Sequence, residues 1–129
     1  SPVQIPGTTW QQVSVGNNFS TAIKTDGTAW AWGYNDKGAL GVGDSHDNGN
    51  NYSSPTQIPG TNWIWSSAIV NDSAVLALKS DNTLWSWGHN GPGQLGQNNN
   101  VDYSSPVQVP GTWSGVVGQY QGAYAFKNV

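Results

Sequence analysis

The sequence predicts an all-β protein made of β-propeller blades, each with four antiparallel strands. Its opening segment, SPVQIPG at residues 1–7, returns as SPTQIPG at 54–60 and as SPVQVPG at 105–111. A repeat of about fifty residues is typical of propellers and solenoids, in which one supersecondary unit is copied in tandem. The chain has no Glu, Arg, Met or Cys, so several of the best helix formers are missing and strands and turns should dominate.

The first full unit shows the pattern of four strands. Apolar and polar residues alternate in residues 10–16, as in a short half-buried strand, and residues 19–24 (FSTAIK) form a second predicted strand. An Asp-Gly pair supplies the tight hairpin turn to a third strand at 28–34. After a loop at 35–51, the proline-flanked segment 54–60 is predicted as a fourth strand at a sheet edge, because proline cannot donate to a strand ladder.

The same pattern divides the chain into repeat units. Two units are predicted at about 10–60 and 63–111, a partial unit at 113–129, and a lone outer strand at 1–7. Aligning Trp65 with Trp10 places a two-residue expansion, Trp63 and Ile64, at the start of the second unit. We therefore expect two full blades and part of a third, an incomplete propeller that exposes an apolar blade face and unpaired strand edges.

Four tryptophans are predicted to form the structural core between blades. Side chains alternate across a strand, so Trp30 and Trp32 share one face and the small residues beside them share the other. Trp85 and Trp87 repeat this arrangement in the second unit. Each tryptophan can bury about 150–250 Å². We expect the pair of one blade to pack on the flat side of the next.

The motifs around these tryptophans resemble a known repeat family. WAWGYNDKGALGVGD at 30–44 and WSWGHNGPGQLGQ at 85–97 are each followed by SPxQxPG, and the units carry KTDGT or KSDNT hairpins. This combination is similar to the regulator of chromosome condensation repeat family over essentially the whole chain. The resemblance implies a seven-bladed β-propeller and a binding scaffold rather than a defined chemistry. The family usually has a His in the second strand, where this chain has Phe19, Ala74 and Gly122.

Composition and charge argue against several function classes. The net charge is −3, and all four cations are lysines, so nucleic-acid binding, which usually uses clustered cations and arginine, is disfavoured. Lys24, Lys79 and Lys127 recur once per unit, which fits either a ring of cations for an anionic partner or a surface lysine covering apolar neighbours. We favour the second interpretation. No apolar run is long enough for membrane insertion.

The sequence offers no convincing catalytic residue, metal ligand set or cofactor site. The loop at 44–51 gathers oxygen ligands, but His46 interrupts the calcium-loop pattern, and we interpret it as a solvated connection. His46 and His89 lack the nucleophile and orienting carboxylate of a hydrolytic triad. Most of the aspartates fall in turns and loops, where their local hydrogen bonds are favoured. We expect a protein that is not an enzyme and needs no cofactor.

Aromatic residues near loops are the candidates for ligand binding. Tyr34, Tyr52, Trp63 and Tyr103 could stack on sugars, although packing at the blade rim is the alternative. Tyr52 and Tyr103 occupy the same repeat position, within YSSP, which favours the structural role.

Function is predicted as a structural or binding module in an extracellular, cell-surface or virion assembly. The SPVQIPGTTW phrasing, low charge and Asn-rich loops are similar to repeats of bacterial surface proteins and phage tail, neck or fibre proteins. The expected partners are additional copies of the chain or the remainder of a longer propeller, together with a protein or glycan receptor. The alternatives are an intracellular GTPase-exchange or interaction propeller, a carbohydrate-binding lectin and an enzyme.

Overall fold

The structure is a computed structural model that describes residues 1–44, 50–68, 73–91, 93, 95–111, 113, 115–119 and 122–126. Within these residues the chain is all-β, and its only helical element is a three-residue 3-10 turn at Asp36–Gly38. The strands are β1 Trp10–Val15, β2 Phe19–Lys24, β3 Ala29–Gly33, β4 Tyr52–Ile58, β5 Trp63–Ala68, β6 Ala74–Lys79, β7 Leu84–Gly88, β8 Tyr103–Val109, β9 Gly115–Gln119 and β10 Gly122–Phe126.

The strands form two four-stranded blades and a two-stranded sheet. Blade 1 has the order β1-β2-β3-β4, blade 2 has the order β5-β6-β7-β8, and every neighbouring pair is antiparallel. The proline-containing strands β4 and β8 lie at sheet edges, as the sequence predicts. β9 and β10 pair as the first two strands of a further unit. The predicted fold class, incomplete propeller blades, is confirmed.

Each blade has two chemically different faces. The register pairs Trp30 with Ala22 and Trp32 with Ser20, so these residues share one side of blade 1, which we call its tryptophan face. The other side, which we call the back face, carries smaller or aliphatic residues, including Ala29 and Ala31. In blade 2, Trp85 and Trp87 again lie on a tryptophan face, where they pair across the strands with Ala77 and Val75.

The main core lies between the two blades. Phe19, Ile23, Ala29 and Ala31 on the back face of blade 1 are buried together with residues on the tryptophan face of blade 2, which are Trp63, Ala68, Val75, Ala77 and Trp87. Trp87 therefore packs on the flat side of the neighbouring blade as predicted, but it does so together with Trp63, while its predicted partner Trp85 is only partly buried. This contact dominates the fold because bulky indoles fill the space above alanines.

A second core covers the other side of blade 2. Ala74, Leu76, Leu78, Leu84 and Leu95 are buried on or beside its back face, and Trp113 packs against them. The backbone also joins the units, because Trp63 N donates to Gly27 O at 2.9 Å and Trp113 N donates to Asn82 O at 2.8 Å. Gly27 lies in the turn between β2 and β3, and Asn82 lies in the equivalent turn between β6 and β7. Each donor, Trp63 or Trp113, is the first residue of the next repeat unit.

The alignment of Trp65 with Trp10 is wrong. Trp10 pairs with Lys24 next to a bulge, and Trp63 pairs with Lys79 next to the same kind of bulge, so Trp63 is the structural equivalent of Trp10. Because β5 and β6 then follow the register of β1 and β2, the two extra residues fall between β5 and β6 and not before Trp65.

Residues 1–7 differ from the predicted lone strand, since they form none in the structure. Their equivalents in β4 and β8 each pair with a third strand, β3 or β7, and no third strand among the described residues is left to pair with them. Val3 is 89% exposed as a result. Within the described ranges, no helix has the length and apolar character required to cross a bilayer.

Candidate binding surface

Polar side chains of β1 and β2 in blade 1 bond to β5, the first strand of blade 2. Gln12 on β1 donates to Ser66 O at 2.7 Å and accepts from Ser66 N at 3.2 Å, while Ser14 Oγ accepts from Ala68 N at 2.8 Å. Thr21 Oγ1 and Ser66 Oγ lie 3.1 Å apart within this contact and are both buried. These bonds supply β5 with acceptors and donors that a fifth strand would otherwise provide.

A hydrogen-bonded chain of three residues fixes the hairpin of each blade. Asp26 Oδ1 accepts from Thr28 N at 3.0 Å and from Thr28 Oγ1 at 2.6 Å, and Thr28 Oγ1 accepts from Trp30 Nε1 at 2.9 Å. Asp81, Thr83 and Trp85 repeat the same bonds at the same distances. The hydroxyl and amide donors of the threonines lower the pKa of both aspartates below the ordinary value of 3.8.

These lowered pKa values predict an acid-dependent loss of stability. A carboxylate with a lower pKa in the folded state stabilises it above the unfolded-state pKa, and this contribution disappears as pH falls through the folded-state pKa. The free energy of unfolding should therefore fall more steeply below about pH 4 in the native chain than in an Asp26→Asn, Asp81→Asn double variant. Denaturant unfolding between pH 6 and 2 measures this difference, and parallel pH profiles for the two proteins would contradict the assignment.

The repeating lysines lie between tryptophan rings. Lys24 Nζ is 4.9 Å from the ring centroid of Trp10 and 4.6 Å from that of Trp30. Lys79 Nζ is 4.7 Å from Trp63 and 4.6 Å from Trp85. These distances are typical of cation–π contacts. The arrangement agrees with a lysine that covers apolar neighbours, and Lys127 lies outside the described residues.

A cleft opens beside the first of these lysines. Its volume is about 230 Å³, and it is lined by Pro6, Gly7, Trp10, Lys24, Trp30, Ser54 and Pro55. The Trp10 and Trp30 rings meet edge to face, with centroids 6.4 Å apart and an interplanar angle of 86°. The cleft thus has apolar aromatic and proline walls with one ammonium group among them.

The tryptophan face of blade 1 is open, whereas that of blade 2 is covered. Trp10 and Trp32 are half-buried, but their equivalents Trp63 and Trp87 are 2% and 0% exposed. Val13 and Val15 extend the open face and are 60% and 64% exposed. In blade 2 the covering blade also provides Ala39 O, which accepts from Trp87 Nε1 at 2.9 Å.

Two buried asparagines organise the loops after the third strands. Asn35 Oδ1 accepts from Leu40 N at 3.1 Å, and its Nδ2 donates to the carbonyl and carboxylate of Asp44. Asn90 makes the same bonds to Leu95 N and Asn99. No residue pattern in the sequence predicts this role for the two asparagines. The only signal for them is their recurrence in the W-G-x-N motif.

The aromatic residues proposed as ligand contacts have mixed positions. Trp63 is buried between the blades, so its prediction as an exposed loop aromatic is wrong, because it is the Trp10 equivalent and not part of a loop expansion. Tyr52 OH donates to Asp44 Oδ2 at 2.7 Å, which raises the pKa of Tyr52, and Tyr103 OH accepts from Asn99 Nδ2 at 2.9 Å. Tyr34 is 38% exposed and directly follows β3.

The candidate acid–base and metal residues do not assemble where the structure describes them. Among the described residues, no group of three or more His, Asp, Glu or Cys side chains could hold a metal ion. Most of the 44–51 loop, including His46, lies outside the described residues. His89 N donates to Ser73 O at 2.7 Å directly after β7, a backbone bond that Tyr34 N repeats to Asn18 O in blade 1.

Two stacked four-stranded blades, joined by tryptophans and by hairpin-to-strand bonds, define the class of this protein as a repeat-built β-propeller. Comparison with family models identifies the repeat. Models described as "Regulator of chromosome condensation (RCC1) repeat" match residues 10–39 in one case and residues 26–68 and 81–117 in the other. The chain belongs to the regulator of chromosome condensation repeat family, as its motifs predict.

Curated relatives and solved structures agree with this family. The chain is 38% identical over 83 residues to a protein RCC2 homolog of Danio rerio, covering 64% of this chain and 16% of the relative. It is 32% identical over 94 residues to the human X-linked retinitis pigmentosa GTPase regulator, covering 73% and 9%. The structure of yeast RCC1 (Prp20) bound to Kap60 matches with a TM-score of 0.76 at 18% identity, covering 91% and 30%.

The chain therefore spans less than a quarter of the length of these curated relatives. The expected extracellular, cell-surface or virion location is wrong. RCC2, the GTPase regulator and Prp20 are intracellular proteins, and they point away from such a location. The SPVQIPGTTW segment and the Asn-rich loops suggested that location. Gly, Pro, Asn and Ser are favoured in turns for conformational reasons that hold in any compartment, so these residues do not indicate one.

Proposed function

We propose that this chain is part of an intracellular interaction propeller that binds protein partners and performs no chemistry itself. The open tryptophan face of blade 1 is the observation that carries this proposal. It presents Trp10, Trp30 and Trp32 in the arrangement that blade 2 uses to receive a neighbouring blade. Exposed apolar surface of this kind is typical of an interaction site. The names of the relatives, which include a GTPase regulator and an ultraviolet-B receptor of Arabidopsis thaliana, support the same class.

The composition of the open face selects the kind of blade that would cover it. Blade 2 presents Ser66 to Gln12 and Thr21, and the backbone of Ala68 to Ser14, whereas blade 1 has Val13 and Val15 at the positions of Ser66 and Ala68. A covering blade with Gln and Thr would leave polar groups buried against valine. The back face of blade 2 has Leu76 where blade 1 has Thr21, so an aliphatic back face of that type fits better.

We propose that a second copy of the chain provides this cover with the outer side of its β9–β10 sheet, because both faces of its own blade 2 are already buried. Sedimentation equilibrium should then show self-association that a Val13→Asp, Val15→Asp double variant reduces at least tenfold, because two buried carboxylates would be placed in the contact. Gln11→Asp, an exposed change on the same strand, is the matched control and should associate like the native chain. Equal association of the native chain and the double variant, or a native chain that stays monomeric, would argue against a second copy.

A GTPase is the second partner that the relatives favour. One relative is named a GTPase regulator, and a solved structure of yeast Prp20p is described together with its binding properties to Gsp1p and histones. Immobilised chain should retain a nucleotide-free small GTPase more strongly than the same GTPase loaded with GTP, as an exchange-type contact requires. Equal retention of both forms, or none, would remove this candidate without affecting the proposed blade contact.

A further inference from the structure

We propose that the cleft beside Lys24 binds a carboxylate side chain of an extended, proline-containing acidic peptide. Lys24 supplies the ion pair, and Trp10 and Trp30 with Pro6 and Pro55 supply the apolar walls. The cleft lies at the rim of blade 1. It requires neither the partner blade nor the GTPase proposed above.

The walls of the cleft fit an extended peptide. Pro6 and Gly7 form one side, Ser54 and Pro55 form the other, and the two indoles lie between them with Lys24. Aromatic-lined grooves bind proline-rich segments because an extended, preformed peptide loses little conformational entropy on docking. The volume of about 230 Å³ suits a few side-chain-sized groups and excludes a folded element.

The ammonium group has hydrogen-bonding capacity left for a ligand. A lysine carries three N–H donors. In the part of the chain that the structure describes, Lys24 Nζ contacts two indole faces but makes no ion pair within 4.0 Å and no hydrogen bond. An acceptor arriving in the cleft would meet this ammonium group beside apolar walls, where a charge-assisted hydrogen bond is stronger than at an open surface.

A carboxylate fits better than a phosphate. Phosphate groups carry nearly two charges and are usually held by several donors, often the fork of an arginine, and this chain has no arginine. The cleft offers one ammonium group and the hydroxyl of Ser54. A singly charged carboxylate with apolar flanks therefore matches both the charge and the walls.

A covered tryptophan face would bury one wall of the cleft and leave the others accessible. Lys79 and Trp85 are the equivalents of Lys24 and Trp30 in blade 2, and they stay half-exposed although blade 1 buries Trp63 and Trp87. A blade placed on the tryptophan face of blade 1 would accordingly leave Lys24 and Trp30 accessible but bury Trp10, so the cleft is complete only while this face is open.

The test uses capped five-residue peptides with one central residue between two prolines. The native chain, titrated by tryptophan fluorescence, should bind the glutamate peptide about tenfold more tightly than the glutamine peptide, because a charge-assisted bond is replaced by a neutral one. A glutamine-centred peptide with a free C-terminal carboxylate distinguishes a terminal from a side-chain carboxylate, and a phosphoserine peptide distinguishes phosphate.

Lys24→Gln should remove the preference for glutamate, while Lys79→Gln, the matched change in blade 2, should retain it, because blade 1 already buries Trp63, the counterpart of the Trp10 wall. Equal binding of the glutamate and glutamine peptides by the native chain would overturn the proposal, and this measurement needs no variant. Tighter binding of the phosphoserine or free-carboxylate peptide, or a preference that survives Lys24→Gln, would overturn it as well.

Discussion

Replacing Trp87 with alanine should lower the free energy of unfolding by about 3–5 kcal/mol. Trp87 is fully buried between the blades, and its Nε1 donates to Ala39 O at 2.9 Å. The variant would leave a cavity beneath the blade 1 loop and an unpaired buried carbonyl, and both losses act on the same interface. Gly41 lies against this indole so closely that a Cβ there would be 2.8 Å from Trp87 Nε1. The surrounding loop is therefore packed for a tryptophan.

Trp32→Ala is the matched control, because Trp32 occupies the same repeat position on the open face of blade 1. Its loss should cost less than half as much in chemical denaturation, since part of the indole is already in water. Trp30 is also half-buried, so Trp30→Ala should likewise cost less than the loss of a fully buried indole. Equal destabilisation by Trp32→Ala and Trp87→Ala would contradict the description of one open and one covered face.

Asn90→Ala should destabilise the chain by about 1–3 kcal/mol, which is the penalty for a buried backbone group left without a partner. Asn90 is fully buried, its Oδ1 accepts from Leu95 N at 3.0 Å, and its Nδ2 donates to Asn99 O at 2.9 Å. Without the side chain, the loop between β7 and β8 loses the link between its two ends. Leu95, which is buried on the back face of blade 2, should then pack less well.

Asn90→Asp separates the two halves of this effect. Aspartate keeps an oxygen for Leu95 N but cannot donate to Asn99 O, and it adds a charge to a buried position. Thermal and urea unfolding should rank the native chain above both variants, and hydrogen exchange at Leu95 N should accelerate in Asn90→Ala more than in Asn90→Asp. Unchanged exchange at Leu95 N in Asn90→Ala would show that this bond does not hold the loop.

The blades were predictable because each signal was local. Alternation in β1 and β2, the Asp-Gly turn and the proline-flanked fourth strand each depend on residues close in sequence. The contrast between tryptophan and alanine on β3 followed from the two-residue period of a strand, and it predicted which faces would meet.

The errors arose where two local solutions had similar patterns. Trp63 and Trp65 both suit the start of a strand, and only the pairing of Trp63 with Lys79 decides between them. With Trp65 aligned to Trp10, Trp63 was predicted to be an exposed aromatic, whereas the observed pairing makes Trp63 a core residue. The Gln12–Ser66 contact could not be predicted either, because it depends on the stagger between two sheets and not on a sequence period.

The bond from each strand opening to the preceding hairpin has a consequence for how such proteins can grow. Gly27 O accepts from Trp63 N, and Asn82 O accepts from Trp113 N, so the second unit contains the donor of one joint and the acceptor of the next. A tandem gene duplication therefore adds a unit whose two joints already fit its neighbours. The number of blades can therefore change by whole copies without a new interface having to arise. Substitutions at equivalent positions, such as Ser66 in blade 2 and Val13 in blade 1, can then make the interfaces distinct.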